Sequence, residues 1–258
     1  MLTAKTVLIT GASAGIGAAC ARAFSAAGTR LILVARREEK LRKLATELGT
    51  ECHLIALDVR DRQAVEVAVA NLPSQYSTID ILVNNAGLSR GLDKFQDAEH
   101  RDWEEMIDTN IKGLLWFSRA VLPGMVTRDA GQIINIGSVA GRQVYPGGGV
   151  YCATKAAVRA LTQSLRIDLL GTKVKASSVD PGLVETEFSS VRFRGDEERA
   201  KKSYTNFPPL QAVDVAEAVI FCATRPAHVN IQEILIMPQD QAAVYASYPR
   251  GVDNDKEN

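Results

Sequence analysis

Residues 6–17 read Thr6-Val7-Leu8-Ile9-Thr10-Gly11-Ala12-Ser13-Ala14-Gly15-Ile16-Gly17, and small residues continue from there to about Gly28. An apolar run without polar alternation reads as a strand buried on both faces, the habit of parallel sheets. The small-residue stretch reads as a helix. Between them lies a glycine-rich turn, where glycine supplies unusual dihedrals and lets another backbone or a phosphate approach closely. A helix that starts there offers free N–H groups and a favourable dipole to an anion. The spacing is GxxxGxG rather than the GxGxxG of the general dinucleotide fingerprint. On its own such a turn is weak evidence, the alternative being a tight strand–helix connection.

The same alternation extends outward. Strands are expected at Arg30–Ala35, Cys52–Leu57, Ile79–Val83, Gln132–Ile136, Val174–Val179 and Glu233–Met237. Helices are expected at about 38–48, 62–72, 101–125, 151–170 and 213–224. This pattern predicts a single α/β domain with a Rossmann-like, doubly wound parallel sheet and helices on both faces. Residues 1–248 are expected to form that dinucleotide-binding and catalytic domain. Residues 183–210 break the rhythm with mixed charge and aromatics, and a loop of that length reads as a substrate lid. Residues 249–258 read as a polar, frayed tail.

The 258 residues carry 30 Lys plus Arg against 30 Asp plus Glu, a formal charge of zero. That balance lacks the basic surplus of a nucleic-acid-binding surface. No secretory signal is read at the N-terminus, and no apolar run reaches the ~20 residues of a membrane helix, so a cytoplasmic protein without a membrane partner is expected. Cys20, Cys52, Cys152 and Cys222 are scattered and read as free thiols. His53, His100 and His228 share no ligand spacing, so no metal is expected.

Two further segments point to a cofactor and a reaction. The second strand ends at Ala35 and is followed by Arg36 and Arg37. An NAD-binding protein places an acid there for the ribose 2′-hydroxyl, whereas arginine suits a 2′-phosphate, so NADP is the expected cofactor. Asp58, ending the third strand, is placed for the adenine amino group, while Asp61 is the better helix cap. Tyr151-Cys152-Ala153-Thr154-Lys155 opens a helix, and residues four apart share a helical face. A nearby ammonium favours phenolate and lowers a tyrosine pKa. Tyr151 is therefore the expected proton donor in reduction and acceptor in oxidation. Ser138, just past a strand end, can hydrogen-bond the substrate oxygen. Asn110 can hold a water beside Lys155 and complete a proton relay.

With TGASAGIG at 10–17, NNAG at 84–87, Asn110, Ser138, YCATK at 151–155 and PGLVET at 181–186, the chain resembles the short-chain dehydrogenase/reductase family over nearly its whole length. The resemblance implies a cofactor held by Gly11, Ser13, Ala14, Gly15, Ile16 and Gly17, by Arg36, Arg37, Asp58 and Val59, and by Asn85, Ala86 and Gly87. It has Asn84–Gly87 support the sheet, Lys155 hold the nicotinamide ribose beside Tyr151, and Pro181, Gly182, Val184 and Thr186 close over the nicotinamide. Asp180 departs from the family pattern, which often has an apolar residue or Asn before this proline.

Residues 182–204 and 227–242 are similar, more narrowly, to NADP-dependent 3-hydroxy acid dehydrogenases, also described as serine or L-allo-threonine dehydrogenases. A small 3-hydroxy acid substrate of the serine, L-allo-threonine or 3-hydroxyisobutyrate type would need a cation, for which Arg142, Arg192 and Arg194 are candidates. A carbonyl reductase for a larger ketone, with room beside the PGGG run at 146–149, is the alternative. A non-catalytic NADP(H) sensor is a further one, disfavoured by the retained Tyr and Lys. The family implies a homotetramer, with Trp103, Met106, Ile107, Leu114, Leu115 and Phe117 as apolar bulk for an interface or for the core.

Overall fold

The computed structural model describes residues 2–202, 204 and 207–249. Strand β1 (Thr6–Thr10) is buried at all five positions. Around it run β2 (Arg30–Ala35), β3 (Cys52–Ala56), β4 (Ile81–Asn84), β5 (Gly131–Ile136), β6 (Val174–Pro181) and, after the short β7 (Val184–Glu185) and β8 (Leu210–Gln211), β9 (Glu233–Ile236). The main sheet has seven strands in the order β3-β2-β1-β4-β5-β6-β9. Every pairing in it is parallel, with Leu8 opposite both Ile32 and Leu82. The chain works outward from β1 to β3, then returns to lay β4 on the other side of β1. Such a reversal opens a crevice at the strands' C-terminal ends, where α/β sheets bind ligands.

Alternate residues of each strand feed two cores, because strand side chains switch faces at every step. Val7, Ile9, Leu31 and Leu33 pack with Phe24 of α1 (Gly15–Ala26), Leu41 of α2 (Glu38–Leu48) and Val215 and Val219 of α9 (Ala212–Ala223). Leu8, Ile32 and Leu82 pack on the opposite face with Val65 of α3 (Arg62–Ala70) and Phe117, Val121 and Met125 of α5 (Leu114–Thr127). Each such side chain contributes about 1.5–3 kcal/mol on burial. The unbroken apolar strands follow from this two-sided burial.

Two segments differ from the sequence-based expectation. The helix expected over 101–125 is α4 (His100–Ile107), a π-helical turn (Asp108–Gly113) and then α5. A π-turn admits one extra residue and often marks a functional site. Here it carries Asn110. Residues 183–210 hold α7 (Phe188–Arg192) and α8 (Glu197–Lys202), and β7 at one end pairs with β8 at the other. Helices of five and six residues are too short to show a periodicity in sequence. After β9 a small hairpin forms from β10 (Gln241–Ala243) and β11 (Ala246–Ser247). The tail expected at 249–258 lies outside the described residues from 250 onward.

All four cysteines are free thiols. Among the described residues, no helix is long and apolar enough to cross a membrane, and no cluster of three or more His, Cys, Asp or Glu is arranged to hold a metal. Of the apolar residues weighed for an interface, Met106, Leu114 and Phe117 are buried within the chain, while Ile107 stays exposed.

Candidate active site

A groove of about 280 Å³ runs along the crevice beside β1. Its floor is the turn after β1, where Gly11 takes φ +65° and a Cβ there would lie 2.9 Å from Ala86 Cα. At Gly17 a Cβ would lie 2.3 Å from the Gly11 carbonyl oxygen, so only glycine lets α1 fold back onto the turn. The turn is tied to the end of β4. The Thr10 hydroxyl accepts from the Asn85 and Ala86 amides, both at 3.0 Å, and Asn85 Nδ2 donates to the Thr10 carbonyl at 2.9 Å. Asn84 stays in the sheet, donating to Asn135 Oδ1 at 2.9 Å and Ser118 Oγ at 3.0 Å. The Thr10 hydroxyl is a structural link that sequence reasoning missed, although a polar residue ending an apolar strand was a visible signal.

The groove suits a dinucleotide phosphate. Ala14, Gly15 and Ile16 at the start of α1 line it. No side chain caps that helix and no acid lies in its first turn, so its N–H groups stay available to an anion. Ser13, Arg36, Arg37, Asp58, Val59, Asn85, Ala86, Gly87, Lys155, Pro181 and Thr186 line the rest. Asp58 accepts from Arg60 at 2.6 Å and lies 4.0 Å from Arg36. Partial burial pushes the Asp58 carboxyl up, but the Arg60 hydrogen bonds outweigh it and leave the pKa below the usual value. Asp61 caps α3 through the Ala64 amide. Arg37 donates to Ser13 Oγ at 3.2 Å and to Glu187 at 2.8 Å, and Lys40 joins Glu187 at 2.5 Å. Glu187 thus engages Arg37, one of the two arginines read as the 2′-phosphate site, through a contact between residues 150 apart that no local pattern signals.

At the other end of the groove, Lys155 is buried and donates to the Ile136 carbonyl at 2.9 Å. Burial lowers its pKa to about 8, and Asp180 opposes that shift. Its Nζ is 6.0 Å from the Tyr151 ring centroid. Burial pushes the Tyr151 phenol well above the ordinary tyrosine value, helped by Tyr145, while Arg192 and the Ser138 hydroxyl pull it down. Ser138 opens a 3₁₀ turn, Val139–Gly141, and its hydroxyl accepts from the Ala140 amide at 3.1 Å. Asn110 lies beside Lys155 at the π-turn, and its side chain is bonded within the chain. Its Nδ2 donates to the Leu88 carbonyl at 2.8 Å and to Thr154 Oγ1 at 3.0 Å, while its Oδ1 accepts from the Leu88 amide at 2.8 Å. Both amide donors are used, which leaves one Oδ1 lone pair and the main chain to hold a water.

A second cavity, about 320 Å³, meets the groove at Ile16, Thr186 and Phe188. Ser138, Tyr151, Tyr145, Gly182, Val184, Arg192 and Tyr204 line it. Arg192 lies 5.5 Å over the Tyr151 ring and 5.3 Å over Phe188, and it donates to the Tyr145 hydroxyl at 2.7 Å. Its buried Nε has no hydrogen-bond partner among the described residues. The other two candidate arginines do not line this cavity. Arg142 is held by Asp180 at 3.0 Å and Glu233 at 2.5 Å, and Arg194 is held by Asp102. Sequence spacing could not rank the three, since the acids that engage Arg142 and Arg194 lie 38 to 92 residues away. Phe188, Tyr145 and Tyr204 escaped the sequence reading. Tyr204 accepts from Ser189 at 2.7 Å and donates to the Thr186 carbonyl at 3.2 Å, pinning α7 across the cavity.

Residues 5–197 match the family model described as short chain dehydrogenase. The chain is 52% identical, over 92% of its length and 96% of the relative's, to the NADP-dependent 3-hydroxy acid dehydrogenase YdfG of Escherichia coli strain K12. It is 49% identical, over 92% of its length and 95% of the relative's, to sulfoacetaldehyde reductase 2 of Chromohalobacter salexigens. Among solved structures, the closed form of serine dehydrogenase complexed with NADP+ superposes with a TM-score of 0.91 at 50% identity, covering 95% of this chain and 99% of that one.

Proposed function

The chain belongs to the short chain dehydrogenase family, and from that premise we propose that it is an NADP-dependent oxidoreductase that interconverts a small 3-hydroxy acid and its 3-oxo counterpart. The nicotinamide, when bound, supplies or accepts the hydride. Tyr151 gives its phenolic proton to the carbonyl oxygen in reduction and takes it back in oxidation. Ser138 donates a hydrogen bond to the same oxygen. Lys155 stabilises the phenolate and holds the nicotinamide ribose, and Asn110 fixes the loop at Leu88 that follows β4. Pro181, Gly182, Val184 and Thr186 close over the nicotinamide end. Segment 183–210 is the lid over the substrate.

The observation that carries the substrate reading is Arg192. Its side chain lines the cavity that Ser138 and Tyr151 line, lies 5.5 Å over the Tyr151 ring, and has a buried Nε without a hydrogen-bond partner among the described residues. A 3-hydroxy acid has its carboxylate two carbons from the carbinol, short enough to meet Arg192 while its hydroxyl meets Tyr151. A cavity of about 320 Å³ crowded by Tyr145, Phe188 and Tyr204 favours a short substrate over a bulky ketone. The test is an NADP-linked absorbance assay over L-serine, L-allo-threonine, 3-hydroxyisobutyrate, their neutral analogues and bulky ketones. Turnover of the acids is expected, and turnover confined to bulky ketones would overturn the reading. Sulfoacetaldehyde belongs in the same panel, because Arg192 recognises charge and the relative named for that substrate is 49% identical.

Arg36 and Arg37 are proposed to read the 2′-phosphate. Replacing both with Ala is expected to raise KM for NADP by about 10²-fold, since hydrogen bonds to charged groups contribute about 1.5–3 kcal/mol each. KM for NAD should change by no more than about threefold on the same footing. Parallel kinetics with the two cofactors check this, and equal increases would remove the pair from phosphate recognition.

The proposed assembly is a cytoplasmic homotetramer. Ile167 and Leu170 at the end of α6 (Gly149–Asp168), with Val213 and Phe221 on α9, are exposed apolar side chains that such an assembly would cover. Sedimentation of the purified protein checks it, with a monomer as the contrary outcome.

A further inference from the structure

Asp180 is a buried acid that the chemistry above does not use. It sits in β6 at 1% exposure. Its Oδ1 accepts from the Ser178 hydroxyl and its Oδ2 from Arg142 at 3.0 Å. A buried charge is costly unless paired, and Arg142 with Ser178 accounts for its pairing. Asp180 Oδ1 would lie 2.0 Å from a Cβ on Gly137, so the carboxylate rests against the main chain there. Gly137 is the link between Ile136, whose carbonyl receives Lys155, and Ser138. The carboxylate therefore backs the short stretch of chain that joins two of the reacting groups.

We propose that Asp180 is a positioning residue for this reaction: its carboxylate anchors the Ser138 segment through Arg142 and sets a negative charge behind the Ile136–Gly137 stretch that receives Lys155. The proposal rests on the reading of Tyr151 and Lys155 as the proton-handling pair.

The groups around the lysine favour this assignment. Tyr151 is on its own helix. The π-turn presents the neutral Asn110, the loop after β4 presents Gly87, and β5 presents the Ile136 carbonyl. Arg192 reaches in from α7 over the Tyr151 ring. Asp180 is the anion among these, and it counters the burial that lowers the lysine pKa to about 8. Behind Asp180, Arg142 is shared with Glu233 of β9, which also accepts from Arg159 and Gln163 of α6. The network thus joins β6, β9 and α6 to the turn that carries Ser138.

Without the carboxylate, the pKa of Lys155 falls further, and the ammonium is lost at lower pH. Asp180→Asn keeps the shape and removes the charge. Its alkaline limb in the kcat/KM profile is expected to move down by about one pH unit, at the low end of what a nearby charge produces. A side-chain NMR titration of Lys155 should show the same displacement. Arg142→Met cuts the tether but leaves the carboxylate, so it should lower kcat without moving the limb down.

If Asp180→Asn alone does not fold, the double variant Asp180→Asn with Arg142→Gln avoids an unpaired buried arginine and should show the same downward limb. Profiles of a folded Asn variant that superpose on the wild type, in kinetics and in NMR, would overturn the assignment of Asp180. Activity that survives in Tyr151→Phe would instead overturn the reading of the proton-handling pair, whatever the Asp180 variants do.

Discussion

Tyr151→Phe is expected to lower kcat by about 10²–10⁴-fold, the range that positioned proton transfer contributes, while NADP affinity stays close to that of the wild type. Phenylalanine keeps the ring that packs 5.6 Å from Phe188, so the fold should persist, and only the hydroxyl is lost. Initial rates in both directions, with fluorescence titration of NADPH, separate the two quantities. Near-normal turnover would remove Tyr151 from acid–base chemistry. The wild-type pH dependence carries a matching signature. Burial raises the phenol pKa, so phenolate is scarce near neutrality and oxidation should speed up as pH rises. Reduction needs the protonated phenol and should be flat over the same range. Above about pH 8, Lys155 loses its proton and the oxidative gain should level off.

The fold was open to reading because two-sided burial leaves a strong trace. The unbroken apolar strands alternate with helices, and the glycine turn after β1 needs its residue types for steric reasons that are local. Tyr151 and Lys155 were legible for the same reason, since a four-residue spacing on one helix fixes their common face. The π-turn around Asn110 was not, because one extra residue in a helix does not disturb a hydrophobic pattern enough to register. The bonds of Asn110 to Leu88 and Thr154 were therefore not foreseeable from the sequence. The arginines show the limit most clearly. Arg142, Arg192 and Arg194 look alike in sequence. What separates them is whether an acid from a distant strand or helix reaches them first, and that is a property of tertiary structure alone.

That separation makes Arg192→Met the second large effect. Methionine preserves apolar bulk over the Tyr151 and Phe188 rings and removes the charge and the hydrogen bonds. Truncating one partner of a buried, hydrogen-bonded charge pair costs about 2–5 kcal/mol. Arg192 is only partly buried, so the lower part of that range applies, and kcat/KM for a hydroxy acid should fall by about 10²-fold, at 1.4 kcal/mol per factor of ten. Most of the loss should lie in KM. A second, smaller loss should appear in kcat for every substrate, because the guanidinium also pulls the Tyr151 phenol down and its removal leaves less phenolate for oxidation. Neutral alcohols of the same size feel only that second effect, so the ratio of acid to neutral kcat/KM isolates the carboxylate contact. Arg192→Lys should fall between, retaining charge without the planar fork that stacks on the rings. Arg142→Met should leave KM for the acid unchanged, because Arg142 is committed to Asp180 and Glu233 outside the cavity. Equal losses for acidic and neutral substrates in Arg192→Met would show that the arginine only orders the aromatic cluster, and the substrate's charge would then have to be met elsewhere.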